Sequence, residues 1–209
     1  MFLVTVLYEF LASTFIPDFT VNWFEFVGTW AGLVCVWLTR TQNVLCWPWG
    51  IVSSISFGFF FAEIGLPGQQ WLNWGYFLII QLWAWPYWVF GGKGRTVLKI
   101  SRLSNKGRII TFLFLIFGTI ILYRLIGFLV PGSLYPALDA LVVTASVTAQ
   151  YLLGRKVIES WWLWLGPVNL LSIALFYAAG AYVVMALYVA FFIHAAIALR
   201  DWYQEAAAH

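Results

Sequence analysis

The sequence predicts an all-α integral membrane protein in a 3+1+3 order. Two parallel three-helix-bundle repeats are joined by a linker helix, and an extra helix precedes them. Three observations predict this fold. The first is composition: 63% of the 209 residues are hydrophobic and only 9% are charged, whereas a soluble domain carries about 25% charged residues. Such a chain cannot cover a water-facing surface. The second is the recurrence of apolar segments near the ~20 residues that a helix needs to cross the hydrocarbon core. The third is internal repetition. Trp47-Pro48-Trp49-Gly50 and Trp162-Leu163-Trp164 stand 115 residues apart, and the same ungapped offset superposes Val27 on Val142, Thr29 on Thr144, Leu38 on Leu153, Arg40 on Arg155, Phe61 on Phe176, Gly65 on Gly180 and Phe77 on Phe192. Matches of Val, Leu and Phe carry little weight in an apolar chain; the Trp and Arg pairs carry more. A duplicated, Trp-lined membrane unit is the pattern of a transporter with its substrate between two pseudo-equivalent halves.

Eight apolar segments follow in order. They run near 2–17, 23–39, 44–62, 70–90, 109–130, 136–154, 161–179 and 182–199. The first is short, carries Glu9 and ends at Pro17-Asp18; it either spans or lies along the interface. The fifth has no copy elsewhere. Three helices reverse the chain across the membrane, so a fourth crossing returns it to its starting side and leaves both triplets parallel. The expected divisions are an extra helix over 1–20, a first repeat over 21–92, a basic loop and linker helix over 93–131, a second repeat over 132–202 and a tail over 203–209. The terminal Ala206-Ala207-Ala208-His209 reads as a cloning remnant. Without a basic stretch at the start, no cleavable signal is expected.

Charge sets the orientation. Lys93, Arg95, Lys99, Arg102, Lys106 and Arg108 crowd one loop, which the positive-inside rule places in the cytoplasm. Arg40, Arg155, Lys156 and Arg200 then fall on the same side, and Asp18, Glu25, Glu63 and Asp139 on the outer side. The C-terminus is expected to be cytoplasmic. Cys35 and Cys46 lack metal-ligand spacing and read as small buried apolar residues.

Polar side chains at membrane depth are costly unless they face a bundle interior or a cavity. Asn73, Phe77, Gln81 and Trp85 recur every four residues and so share a helical stripe. Trp164, Asn169, Ser172 and Phe176 lie on the seventh segment, where Pro167 removes a backbone donor. Tyr188 is the repeat counterpart of Asn73. Thr144 and Thr148 stand one turn apart and suit either close helix packing or a ribose contact. Of each Trp pair only one ring can face a substrate, because neighbours two apart point about 200° apart; Trp49 and Trp164 are the expected ones. Two readings of Gln81 stand: a substrate-reading amide, or interhelical packing glue. His194 reads as a packing histidine. The candidate substrate-binding set is therefore Trp49, Asn73, Phe77, Gln81, Trp85, Thr148, Trp164, Asn169 and Tyr188. A phosphate loop, a nucleophile elbow and metal-spaced His or Cys residues are all missing, which argues against enzymatic chemistry, a bound metal, a cofactor or a nucleic-acid partner. The scattered acids also argue for facilitated diffusion over ion coupling.

The run 43–51, the Gln81-bearing aromatic helix, Arg155-Lys156, the run 159–164, Asn169, and the closing stretch from Ala181-Tyr182 to Arg200-Asp201-Trp202 together resemble the PnuC family. The resemblance implies import of nicotinamide riboside, a precursor of NAD, across the bacterial inner membrane. It implies a fold similar to SWEET sugar transporters, a homotrimer, and facilitated diffusion with trapping by a cytoplasmic riboside kinase. Relatives carry thiamine, riboflavin or deoxynucleosides, so the family leaves the substrate open. The residues favour the riboside, a flat pyridinium cation with a carboxamide. Trp faces attract cations by about 0.5–2 kcal/mol per contact, and Gln or Asn can pair with a carboxamide through a donor and an acceptor. A membrane-embedded enzyme or scaffold remains as the alternative class.

Overall fold

The computed structural model describes residues 22–65, 67–129, 136–178, 180 and 182–207. The expected N-terminal helix over 1–20 lies outside these residues. Among the described residues the chain is all-helical, with one isolated bridge between Ser101 and Val157. The helices are α1 (Trp23–Arg40), α2 (Cys46–Glu63), α3 (67–90), α4 (Asn105–Leu129), α5 (Pro136–Gly154), α6 (Glu159–Ala178) and α7 (Tyr182–Ala207). Helices α4 to α7 contain windows long and apolar enough to cross a membrane. The 18 residues of α1 and of α2 give a length of about 27 Å at 1.5 Å per residue, close to the hydrocarbon thickness.

Local chemistry sets the ends. Asn22 caps α1 by accepting from the backbone N–H groups of Phe24 and Glu25. Gly65 and Gly180, at φ of 70° and 71°, follow α2 and α6 in the left-handed conformation that closes many helices. Two helices contain a π-helical turn: Leu72–Phe77 in α3 and Trp164–Val168 in α6.

Packing alternates between the halves. Helix α1 packs on α2 and on α7, while α3 packs on α2 and on α5. Helix α6 packs on both α5 and α7, and α4 rests on α5 with none of its residues buried. Gly118 makes that contact close, since a Cβ there would lie 2.9 Å from the Thr144 methyl.

Equivalent hydrogen bonds give the register of the two halves. Asn43 N–H bonds Leu38 O, and Val157 N–H bonds Leu152 O; Trp47 N–H bonds Val44 O, and Trp161 N–H bonds Ile158 O. Gln42 and Lys156 share a positive φ of 57° and 51°. All of these pairs are 114 residues apart. Gly65 and Gly180 are 115 apart, yet Trp88 and Trp202, which make matching indole bonds, are again 114 apart. The ungapped offset of 115 is thus corrected. Each half contains one residue that the other lacks, and a π-helical turn absorbs it.

Two apolar clusters sit at opposite ends. At the end with Arg40 and Lys156, Trp47, Trp88, Trp161 and Trp202 pack with Cys46, Ile158 and Leu199. At the other, Phe57, Phe60 and Phe61 pack with Phe176, Val184 and Leu187. The basic loop is pinned beneath the first cluster. Ser101 exchanges backbone bonds with Lys156 and Ile158, and Leu103 N–H and Arg108 both bond Glu159.

Candidate functional site

Between the two clusters lies a cavity of about 130 Å³ lined by α1, α2, α3, α5, α6 and α7. None of its lining residues carries a charged side chain. Helix α2 supplies Trp47, Gly50, Ser54, Phe57 and Phe61 at alternating steps of three and four, the spacing of a single helical face. Helix α3 supplies Asn73, Phe77 and Gln81. Eight residues of uninterrupted α-helix drift by about 80°. The wider π turn between Asn73 and Gln81 compensates and keeps both on the cavity face. Helix α6 supplies Trp161, Trp164 and Asn169. Trp164 and Asn169 are five apart, about 140° in an α-helix, and the π turn closes that angle. Phe77 and Trp164 meet across the cavity with ring centroids 6.4 Å apart.

The polar groups here are buried and incompletely bonded. Gln81 Nε2 donates to Ser54 Oγ at 2.8 Å, whereas its Oε1 has no partner. Asn169 is 1% exposed, and neither of its amide atoms is bonded. The indole N–H groups of Trp47, Trp161 and Trp164 are equally unpaired. A buried polar atom without a partner costs about 1–3 kcal/mol. Several of them around one hollow mark a place where a ligand completes the bonding. The arrangement offers flat aromatic faces, three unpaired indole donors and two incompletely bonded carboxamides, with no ionic partner. It suits a flat polar heterocycle.

Of the residues predicted from sequence, Asn73, Phe77, Gln81, Trp164, Asn169 and Tyr188 line the cavity. Asn73 donates to Gln69 O in its own helix, so its amide is partly used. Three expectations are corrected. Trp49 is 44% exposed on the outer face of α2, and Trp47, 2% exposed, takes the cavity position. Trp85 is 36% exposed and does not line the cavity; Trp88, seven residues and nearly two turns beyond Gln81, is buried behind Trp47 and does not line it either. Thr148 spends its hydroxyl on Thr144 O at 2.8 Å and does not line the cavity. Trp161 was missed because the ungapped repeat pointed to Trp162, which is 53% exposed. The three-four spacing of Trp47, Gly50, Ser54, Phe57 and Phe61 was the sequence signal for the correct ring.

The remaining polar residues have local roles. His194 Nε2 meets Val36 O at 2.9 Å, and Asn43 Oδ1 accepts from Leu45 N–H. Lys156, 2% exposed, donates to Gln42 and sits 4.6 Å from the Trp88 ring centroid; burial lowers its pKa.

Residues 22–204 match the family model described as "Nicotinamide mononucleotide transporter". The chain is 24% identical over 212 residues to the nicotinamide riboside transporter PnuC of Escherichia coli strain K12, covering 90% of this chain and 88% of that protein. It is also 24% identical over 192 residues to the riboflavin/roseoflavin transporter RibM of Streptomyces davaonensis, covering 89% and 87%. In fold it is similar to a crystal structure of the vitamin B3 transporter PnuC, with a TM-score of 0.79 at 21% identity over 99% of this chain and 90% of that one.

Proposed function

The chain belongs to the nicotinamide mononucleotide transporter family, and on that premise we propose that it imports nicotinamide riboside by facilitated diffusion. It is a multi-pass membrane transporter. The halves over 21–92 and 132–202, joined through 93–131, move against each other around the central cavity in a SWEET-like alternating-access cycle. The basic loop and the C-terminus lie on the cytoplasmic side of a bacterial inner membrane, in line with the positive-inside rule. The homotrimer and the trapping riboside kinase rest on the family resemblance.

The unpaired Gln81, Asn169, Trp47, Trp161 and Trp164 groups around an uncharged cavity carry the substrate reading. A pyridinium stacks on the Trp and Phe faces, and its carboxamide exchanges bonds with Gln81 and Asn169. A cation held by aromatic rings in place of carboxylates also leaves readily, as a carrier requires. Phe77, Asn73 and Tyr188 complete the walls. Calorimetric titration of the purified protein with nicotinamide riboside, riboflavin and thiamine tests this reading, followed by uptake into vesicles holding only this protein. Heat with the riboside alone is expected. A response to riboflavin without one to the riboside would move the chain to the substrate of its Streptomyces relative.

A further inference from the structure

The cavity floor is bonded to the far half of the protein. Trp47 and Trp161 line the cavity, and each packs edge-on against a fully buried tryptophan. Trp47 meets Trp88 at 5.0 Å and 88°, and Trp161 meets Trp202 at 5.4 Å and 85°. Those second rings reach across. Trp88, on α3, donates its indole N–H to Gly154 O, the last residue of α5, at 3.1 Å. Trp202, on α7, donates to Arg40 O, the last residue of α1, at 3.1 Å. Each bond satisfies a carbonyl that a helix end leaves without a partner, and each joins one half to the other.

We propose that Trp88 and Trp202 form a crossed latch that closes the cytoplasmic exit, and that substrate acts on it through Trp47 and Trp161. They are positioning residues: neither lines the cavity. Opening the exit separates the third helix of each half from the first helix of the other, so both N–H···O bonds break together. Two side-chain pairs brace the same seam, Arg40 with Asp201 and Gln42 with Glu205. A ligand stacked on Trp47 or Trp161 shifts a ring that is in contact with the latch. Occupancy and exit are thereby joined by direct contact. This inference rests on the transport reading above.

Cys35 supplies the test, because it lines the cavity while Cys46 is fully buried. In a Cys46→Ala background, a membrane-impermeant thiol reagent is applied to inside-out vesicles, without substrate. Trp88→Phe and Trp202→Phe keep an aromatic ring and remove the donor together with part of the indole's bulk. Each is expected to raise labelling of Cys35 from the cytoplasmic face by about three- to tenfold, the effect of one net hydrogen bond. The double variant is expected to give roughly the product of the two, with nicotinamide riboside affinity within about threefold of the parent. Unchanged labelling in a folded variant overturns the latch, as does equal gain from both faces. Should one variant not fold, the other gives the same reading. Indole hydrogen exchange on the unmutated protein adds a third: Trp88 and Trp202 exchange at one common rate, and clearly unequal rates overturn the proposal. The labelling needs no ligand, so a failed riboside titration counts against the substrate alone.

Discussion

Gly50 faces the Gln81 carboxamide so closely that a Cβ at position 50 would lie 2.2 Å from Oε1 and 2.9 Å from Cδ. The missing side chain is what lets the amide lie flat in the cavity and bond Ser54 at 2.8 Å. Gly50→Ala must therefore swing Gln81 away. We expect at least a tenfold loss of nicotinamide riboside affinity, about 1.4 kcal/mol, measured by titration. Gly58→Ala is the contrast. There a Cβ would meet the Trp74 ring at 1.8 Å, outside the cavity. That variant is expected to melt at lower temperature with affinity unchanged within about twofold.

Asn169 separates binding from stability. Both of its amide atoms are buried and unbonded, and such atoms are costly to the empty protein. Asn169→Leu keeps the branched shape and the number of heavy atoms and removes the orphaned groups. Riboside binding is expected to fall below detection while the melting temperature holds or rises. A variant that melts lower and still binds would mean that Asn169 serves packing, not substrate.

The two tryptophans of the first pair part company. Trp47 lines the cavity and Trp49 faces outward at 44% exposure. Trp49→Phe is expected to leave riboside affinity within about twofold, and Trp47→Phe to weaken it about five- to tenfold through lost stacking and a lost donor. Equal losses for both would return Trp49 to the site.

The Trp pairs also mark where sequence reading stops. The membrane character, the helix order after residue 22, and Asn73, Phe77, Gln81, Trp164, Asn169 and Tyr188 as cavity residues were legible, since hydrophobicity and helical spacing act locally. The choice of ring was legible within α2, where the three-four spacing marks Trp47, but not from the repeat. There it depends on register, and a π turn inserts a residue without any mark in an ungapped comparison. Trp47 thus pairs with Trp161 and not with Trp162. The basic loop was read by charge alone. Its backbone bonds to Lys156 and Ile158 join segments more than fifty residues apart, which no local pattern announces.

The π turn of α6 makes a prediction of its own. Gly166 lies within it, and a Cβ there would meet nothing within 4 Å. Removing Gly166 leaves Trp164 and Asn169 four residues apart, the spacing of Gly50 and Ser54 in the first half, and four residues close an ordinary α-helical turn. Both flanks keep their neighbours: Trp161 stays against Trp202, and Phe176 stays stacked on Phe61 at 5.9 Å. The deletion should therefore fold, with a melting temperature within about 5 °C of the parent, about 1–2 kcal/mol at this length. Removing Ala174 instead, beyond the π turn, rotates Phe176 by about 100° relative to the preceding turns and pulls it from Phe61. That variant should aggregate. Size-exclusion chromatography with thermal unfolding compares the two. If ΔGly166 fails as badly as ΔAla174, the π turn is not absorbing an extra residue, and the step from a 114-residue offset at Trp161 to 115 at Gly180 needs another cause.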